Sequence, residues 1–132
     1  MRYVDTSFLV AFFRRTERQH STAATVWAEN DRPLLTSVGV VGETWTFLRR
    51  REGHAAAVGA LDAVERSPRI TIIEVEPTVH QAAWRWLRRR DEHTYSFVDA
   101  TSFEIMRRRR IREALAFDND FTRAGFVEVR PR

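Results

Sequence analysis

The stretch MRYVDTSFLV, residues 1–10, decides the fold of this 132-residue chain. Tyr3 and Val4 favour a β-strand, and the apolar residues that resume at Phe8 have the spacing of a helix. Asp5 stands between these two segments. Ligands of open α/β sheets bind outside the carboxyl ends of the strands, which is where Asp5 is expected to lie. Its carboxylate is therefore either the cap of the following helix or part of a functional site.

Strand-like and helix-like segments alternate along the rest of the chain. Helices are predicted over residues 6–14, 16–30, 38–51, 53–65, 78–90 and 96–110. Strands are predicted over residues 1–5, 33–36, 70–75, 114–117 and 126–129. This alternation indicates a single α/β domain over residues 1–132, with a central parallel sheet of about five short strands flanked by helices.

The composition limits the classes of protein that fit. The absence of cysteine excludes a disulfide framework, a thiolate zinc site and a cysteine nucleophile. The net charge is +4, and all 22 basic residues are arginine, whose guanidinium forms forked contacts with phosphate. We find no signal peptide and no apolar run of membrane-spanning length, so we expect a cytoplasmic protein that does not bind a membrane.

Two acids lie on predicted helices. Glu43 shares a helix face with Val40 and Phe47. It is therefore either a solvated residue at the rim of the core or a carboxylate that points into a cleft, where a cation holds it. Asp99 follows Ser96 at the spacing of a capping box, which is a complete structural role, although apolar residues surround it in the sequence.

The last two candidate acids follow the strand predicted over residues 114–117. Asp118 and Asp120 favour a turn, and they also place carboxylates at the carboxyl end of a strand. If these acids meet Asp5 and the helical acids in one cleft, they repel each other unless a cation neutralises them. Oxygen ligands favour a hard ion, Mg²⁺ or Mn²⁺. The matching chemistry is phosphodiester hydrolysis assisted by one or two metals.

Four motifs, taken in chain order, resemble the PIN domain. They are V-D-T-S at 4–7, the acid within VVGETWTFLRRR at 40–51, S-F-V-D-A at 96–100 and F-D-N-D-F at 117–121. Among PIN proteins the chain is most similar to the VapC toxins of bacterial toxin–antitoxin pairs. The resemblance covers essentially the whole chain, and the four motifs together are far more specific than V-D-T-S alone.

The resemblance implies a set of four acids that hold the metal and perform catalysis: Asp5, Glu43, Asp99 and Asp118. Because the last motif contains two acids, Asp120 remains open as the fourth ligand, and otherwise it is expected to support the site from beside Asp118. Ser7 matches the small polar residue that follows the first acid in the family. It is expected to bond to Asp5 or to a metal-bound water.

The resemblance further implies a Mg²⁺-dependent endoribonuclease, with Mn²⁺ as a substitute metal. Such proteins cut structured RNA, either tRNA or ribosomal RNA, are silenced by a small antitoxin, and form homodimers. Arg14 and Arg15 are predicted to contact the RNA backbone. The alternatives are a PIN-fold RNA- or protein-binding module without a toxin role, and a housekeeping RNA-processing PIN nuclease. A haloacid-dehalogenase-type phosphotransferase is disfavoured, because Ser7 replaces its second aspartate and lysine is absent.

Several aromatic residues remain for packing or partners. Trp84 lies off the apolar stripe of its helix and is predicted to contact a partner. The apolar segment FLVAFF at 8–13 matches the region that binds the antitoxin in this family. The histidines share no spacing and are interpreted as ordinary surface or packing residues: His20, His54, His80 and His93.

Overall fold

Five short strands form the centre of the computed structural model, which describes residues 1–132. The strands are β1 (Arg2–Val4), β2 (Leu34–Ser37), β3 (Ile70–Ile73), β4 (Glu113–Leu115) and β5 (Val127–Glu128). The helices are α1 (Thr6–Phe13), α2 (His20–Glu29), α3 (Val38–Glu52), α4 (His54–Arg66), α5 (Pro77–Arg88), α6 (Phe97–Arg109) and α7 (Asp120–Arg123). The predicted α/β class is confirmed. None of these helices has the length and apolar character needed to cross a membrane.

The sheet topology creates a crevice at the end of β1. The strand order is β3-β2-β1-β4-β5, and every neighbouring pair is parallel. The chain runs from β1 outward through β2 to β3, and then crosses back to β4 on the other side of β1. Ligands of open α/β sheets bind where the strand order reverses in this way. Asp5 directly follows β1 and Asp118 follows β4, so both acids lie at this edge.

The core beneath the crevice joins the sheet to α6. Tyr3 is fully buried, as expected for a central strand covered by helices on both faces. Its hydroxyl lies 2.8 Å from Ser102 Oγ and donates a hydrogen bond to Ser37 Oγ at 3.3 Å. Burial raises the pKa of Tyr3 to about 12, so the phenol stays neutral. These contacts fix α6 and the start of α3 relative to β1.

Some predicted boundaries are wrong. The second helix begins at His20 rather than residue 16, because residues 14–19 form turns in which Glu17 N–H donates to Arg14 O at 3.0 Å. The Arg14 guanidinium also pairs with the Glu17 carboxylate at 2.7 Å, which stabilises this turn. The strand predicted over residues 70–75 ends at Ile73.

The short helix α7 was not predicted, because D-N-D is typical of a turn. Asn119 adopts the left-handed conformation at φ 65°, which asparagine tolerates, and the chain then makes one helical turn. The carboxylate of Glu128, a residue of β5, accepts hydrogen bonds from Asn119 N–H at 3.3 Å and Thr122 N–H at 3.1 Å. This buried acid therefore satisfies backbone donors at the start of α7 and holds the loop that contains Asp118.

Candidate metal centre

Asp5 is fixed at the edge of the sheet by its own backbone. Its N–H donates to Leu115 O at 3.0 Å, which continues the β1–β4 pairing by one residue. Its carboxylate Oδ2 accepts from Ser7 N–H at 3.1 Å and thereby caps α1, while Oδ1 accepts no hydrogen bond. Asp5 is 2% exposed. The helix cap and the candidate site thus use different oxygens of one carboxylate.

Ser7 links the ends of the two central strands. Its Oγ donates to Asp5 Oδ2 at 2.7 Å and accepts from Phe117 N–H at 3.0 Å. Phe117 immediately precedes Asp118, so one hydroxyl holds the first acid of the chain against the segment that contains the last. Ser7 therefore sets the spacing between Asp5 and Asp118.

Asp99 has the complete capping box that the sequence indicates. Its N–H donates to Ser96 Oγ at 2.9 Å, and its Oδ2 accepts from Ser96 N–H at 3.0 Å. These reciprocal bonds hold the first turn of α6. As in Asp5, one carboxylate oxygen is bonded to the protein, and Asp99 Oδ1 accepts no hydrogen bond.

The two acids of the last motif have different environments. Asp118 Oδ1 accepts from Asp120 N–H at 3.1 Å, and its second oxygen has no hydrogen-bond partner. The Asp120 carboxylate is instead held by His93 Nε2 at 2.6 Å and by Arg123 at 3.1 Å. His93 is thus more than a packing residue, and its contact with Asp120 was missed because the sequence gives no signal that joins these residues.

Three of the acids converge closely. One carboxylate oxygen each from Asp5, Asp99 and Asp118 lie within 4.8 Å of one another. Burial, with the negative charges of Asp118 and Asp99, raises the pKa of Asp5 to about 8. Burial and the charge of Asp120 raise the pKa of Asp118 to about 6, and burial also raises the pKa of Asp99.

The raised pKa values of the three aspartates indicate that the cluster requires a compensating positive charge. Three carboxylates at this separation cannot all ionise near neutral pH unless a cation compensates their charge. Each carboxylate already has one oxygen bonded to the protein and one oxygen free, so the free donors are oriented before any ion arrives. An all-oxygen donor set of this kind fits a hard divalent cation.

Glu43 lines the same cavity as the three aspartates. Thr6 Oγ1 donates to Glu43 Oε1 at 2.8 Å, so the partner that orients this acid is a hydroxyl rather than a cation of the protein. Burial raises the pKa of Glu43, and the charge of Asp99 raises it further. Thr6 was not singled out from the sequence, although it directly follows Asp5. Glu43 is outside the group of three close acids, although it lines the same cavity.

The cavity that contains the acids is open and has a volume of about 450 Å³. Its polar walls come from the residues around the acids, and its apolar walls come from α1, α3 and the β4–α7 loop. Its lining includes Asp5, Thr6, Ser7, Glu43, Phe47, Asp99 and Asp118, and we call it the acid cavity.

The predicted RNA contacts at the end of α1 differ between the two arginines. The Arg14 guanidinium pairs with Glu52 at 2.6 Å and with Glu17 at 2.7 Å. Its charge is therefore paired with two carboxylates of the protein. Arg15 is exposed and makes no side-chain hydrogen bond or ion pair. Neither arginine lines the acid cavity.

Comparison with known proteins identifies the class. The PIN-domain family profile matches residues 2–127. The chain belongs to the PIN-domain family, which consists of metal-dependent nucleases. The family assignment that its four motifs predicted is confirmed.

Individual relatives define the group more narrowly. The chain is 50% identical over 131 residues to the 23S rRNA-specific endonuclease VapC20 of Mycobacterium tuberculosis, from strains CDC 1551 / Oshkosh and ATCC 25618 / H37Rv, covering 99% of each chain. The crystal structure of VapC20, described as a sarcin–ricin loop cleaving toxin, matches with a TM-score of 0.94 at 49% identity, over 99% of this chain and 100% of that one. The chain is therefore a VapC-type PIN protein.

A more distant structure shares the fold alone. A toxin–antitoxin complex from Klebsiella pneumoniae matches with a TM-score of 0.63 at 14% identity, over 91% of this chain and 88% of that one.

Proposed function

We propose that this protein is a Mg²⁺-dependent endoribonuclease that cleaves the sarcin–ricin loop of 23S rRNA as the toxin of a type II toxin–antitoxin pair. The observation that carries the proposal is the convergence of three aspartates, two of them buried (Asp5 and Asp99) and one exposed (Asp118), each with one oxygen free of any hydrogen bond. The substrate is proposed from the full-length similarity to VapC20, whose printed names specify 23S rRNA and the sarcin–ricin loop. Because the ribosome is cytoplasmic, so is the proposed site of action.

Some residues of the chain would hold the ion, and others orient the residues that hold it. We assign Asp5, Asp99 and Asp118 as metal ligands, with Glu43 as the fourth acid of the same cavity. A bound Mg²⁺ or Mn²⁺ supplies Lewis-acid activation of water and compensates the charge that develops on the phosphate. Ser7, Thr6 and Ser96 orient the carboxylates, and no histidine is needed as a base.

The direct test is cleavage of a synthetic sarcin–ricin stem–loop in the presence of Mg²⁺ or Mn²⁺. We expect one defined cut in the loop, and none when EDTA removes the metal. A scrambled-loop RNA of equal length serves as the control. Uniform degradation of both RNAs, or no cleavage with either metal, would contradict the proposal.

Asp118→Asn is expected to lower cleavage more than about 100-fold, while Asp120→Asn is expected to retain activity within about 10-fold. The reason is that Asp118 offers a free oxygen to the cluster, whereas Asp120 is already bonded to His93 and Arg123. Initial cleavage rates at saturating Mg²⁺ measure the difference. Equal losses in the two variants would show that Asp120 shares the metal.

Ser7→Ala is expected to weaken metal affinity and cleavage by about 10- to 100-fold, the range found when groups that orient metal ligands are lost. The substitution removes the hydroxyl that bridges Asp5 and Phe117 N–H. Cleavage rates titrated against Mn²⁺ measure both quantities. Ser21→Ala is the control, because Ser21 is exposed and its hydroxyl makes no hydrogen bond. Unchanged Mn²⁺ dependence in Ser7→Ala would remove the assigned role of Ser7.

The proposed antitoxin site lies on the apolar surface of α1. Phe12 and Phe13 are only half-buried, and with Trp27 they help to line an apolar cavity of about 120 Å³. We also propose a homodimer. Exposed Trp84, which stacks on half-buried Phe97 at 4.2 Å between ring centres, supports this as a candidate contact surface. Co-purification with the product of a neighbouring short gene tests the antitoxin proposal. Sedimentation of the purified protein tests the homodimer.

A further inference from the structure

One face of α3 continues away from the acids toward a second cavity. Glu43, Phe47 and Arg50 follow the helical repeat, so they lie along one face, and Arg51 lies beside Arg50. The second cavity has a volume of about 560 Å³ and is lined by Thr6, Gly42, Glu43, Thr46, Phe47, Arg50 and Arg51. We call it the arginine cavity. It shares Thr6, Glu43 and Phe47 with the acid cavity, so the two cavities adjoin.

The two arginines of this cavity have no acidic or hydrogen-bonding side-chain partner in the protein. Arg50 and Arg51 are exposed and make no hydrogen bond or ion pair with another side chain. The neighbouring acid, Glu52, is bound by Arg14 at 2.6 Å and so is not available to them. Two guanidiniums without a carboxylate partner thus line an open polar cavity. Arg14 also approaches Phe47, but its guanidinium forms ion pairs with two carboxylates.

Phe47 lines both cavities. The Arg51 guanidinium carbon lies 5.4 Å from the centre of the Phe47 ring, which is a cation–π distance. This contact holds the Arg51 side chain against a residue that lines both cavities. Phe47 is half-buried, so part of its surface remains accessible from the cavities. An aromatic surface next to arginines is a combination that accepts single-stranded nucleic acid, because bases stack on the ring while guanidiniums bind phosphate.

We propose that the arginine cavity is a subsite for the RNA strand flanking the cleaved bond, in which Arg50 and Arg51 bind phosphates and Phe47 contacts the intervening nucleotide. This inference rests on the proposed nuclease function. Glu43 and Arg50 are two helical turns apart, roughly 11 Å along the axis of α3, so the arginines reach a neighbouring phosphate rather than the reacting one. Forked contacts of arginine with phosphate are strong and geometrically specific.

The test compares two double variants for RNA binding and for cleavage. Arg50→Ala/Arg51→Ala removes the subsite, and Arg88→Ala/Arg89→Ala is the matched control. Arg88 and Arg89 are also exposed at the end of a helix and without ion pairs, but they line neither cavity. Binding of the sarcin–ricin stem–loop is measured between 50 and 300 mM salt, with Asp5→Asn added to both variants and to their parent to prevent cleavage. Cleavage by proteins that retain Asp5 gives kcat and KM.

We expect the Arg50/Arg51 variant to bind RNA about 10-fold more weakly, with the slope of log affinity against log salt reduced by about 1 to 2. KM should rise by a similar factor while kcat changes less than about 3-fold. Arg50→Lys/Arg51→Lys should recover the salt slope but only part of the affinity, because lysine keeps the charge and loses the fork.

Three results would overturn the inference. One is wild-type affinity and salt slope in the Arg50/Arg51 variant. Another is an equal loss of RNA affinity in the Arg88/Arg89 variant, which would show that the effect depends only on the net charge of the protein. The third is unchanged RNA binding with weakened antitoxin binding, which would assign the cavity to a protein partner. If no protein retaining Asp5 cleaves RNA but the specific loss of binding occurs, the nuclease proposal fails and the RNA subsite stands.

Discussion

Asp5→Asn and Asp99→Asn are each expected to lower RNA cleavage by more than about 100-fold while the protein stays folded. Each substitution removes a negative charge and replaces a carboxylate oxygen with an amide group, which is a poor ligand for Mg²⁺. The fold should persist because asparagine caps helices about as well as aspartate. In both positions the side-chain oxygen can keep its bond, to Ser7 N–H in one case and Ser96 N–H in the other.

The matched control for this pair is Asp91→Asn, because Asp91 is exposed and makes no side-chain hydrogen bond or ion pair. It changes the net charge of the protein by the same amount and should leave cleavage unaltered. Circular dichroism checks that all three variants are folded. Cleavage at the wild-type rate by both Asp5→Asn and Asp99→Asn would remove the assignment of the catalytic site.

The second large effect concerns stability without metal. Asp5→Asn is expected to be more stable than the wild type at pH 8 in EDTA, by about 1–4 kcal/mol. Burial and the neighbouring acids raise the pKa of Asp5 to about 8 in the folded protein. The folded state therefore holds this proton more tightly than the unfolded chain does. The associated stability is present in full below about pH 4 and is lost as the pH rises through 8.

A bound metal should change the stability of the folded protein through the same carboxylates. In the wild type, Mn²⁺ should offset the repulsion between the acids and raise the melting temperature at pH 8. In Asp5→Asn the gain should be much smaller, because one ligand is lost. Thermal unfolding at pH 5 and pH 8, with EDTA and with Mn²⁺, measures both effects. A variant less stable than wild type at pH 8 in EDTA, or equally stabilised by Mn²⁺, would contradict this account.

The sequence predicted the parts of the site that depend on local pattern. Asp5 and Asp99 were singled out as candidates because each lies at the start of a predicted helix, and the spacing of Ser96 to Asp99 is visible in a single stretch. Ser7 was assigned through the resemblance to the PIN domain. The alternation of strands and helices gave the parallel sheet, and that sheet brings Asp5 and Asp118 to one edge. These inferences need only neighbouring residues and the general rules for α/β folds.

The remaining features depend on contacts between distant side chains. The bond from Thr6 to Glu43 and the contact of His93 with Asp120 join separate elements, and no local pattern connects either pair. Glu128 alternates with apolar residues in FVEV, which is typical of an exposed position on a strand. It is buried instead, at 9% exposure, because its carboxylate satisfies donors of α7.

The arginines illustrate the same limit. Runs of arginine at helix ends have an ordinary explanation, which is stabilisation of the helix dipole by exposed cations. Arg14 was predicted to contact RNA, but Glu17 and Glu52 lie where they can bind it. That pairing leaves Arg50 and Arg51 as the free cations beside the acids. Which arginines are paired depends on tertiary packing, so composition and spacing could not identify them.

The central claim is that acids far apart in the chain share one divalent ion. Crystals of the protein equilibrated with Mn²⁺ and measured near the manganese absorption edge would test it most directly. We expect an anomalous difference peak within ligand distance of Asp5, Asp99 and Asp118, and its loss in crystals of Asp5→Asn. Saturating Mn²⁺ with no peak among these three carboxylates, or with a peak that persists unchanged in the variant, would contradict the account.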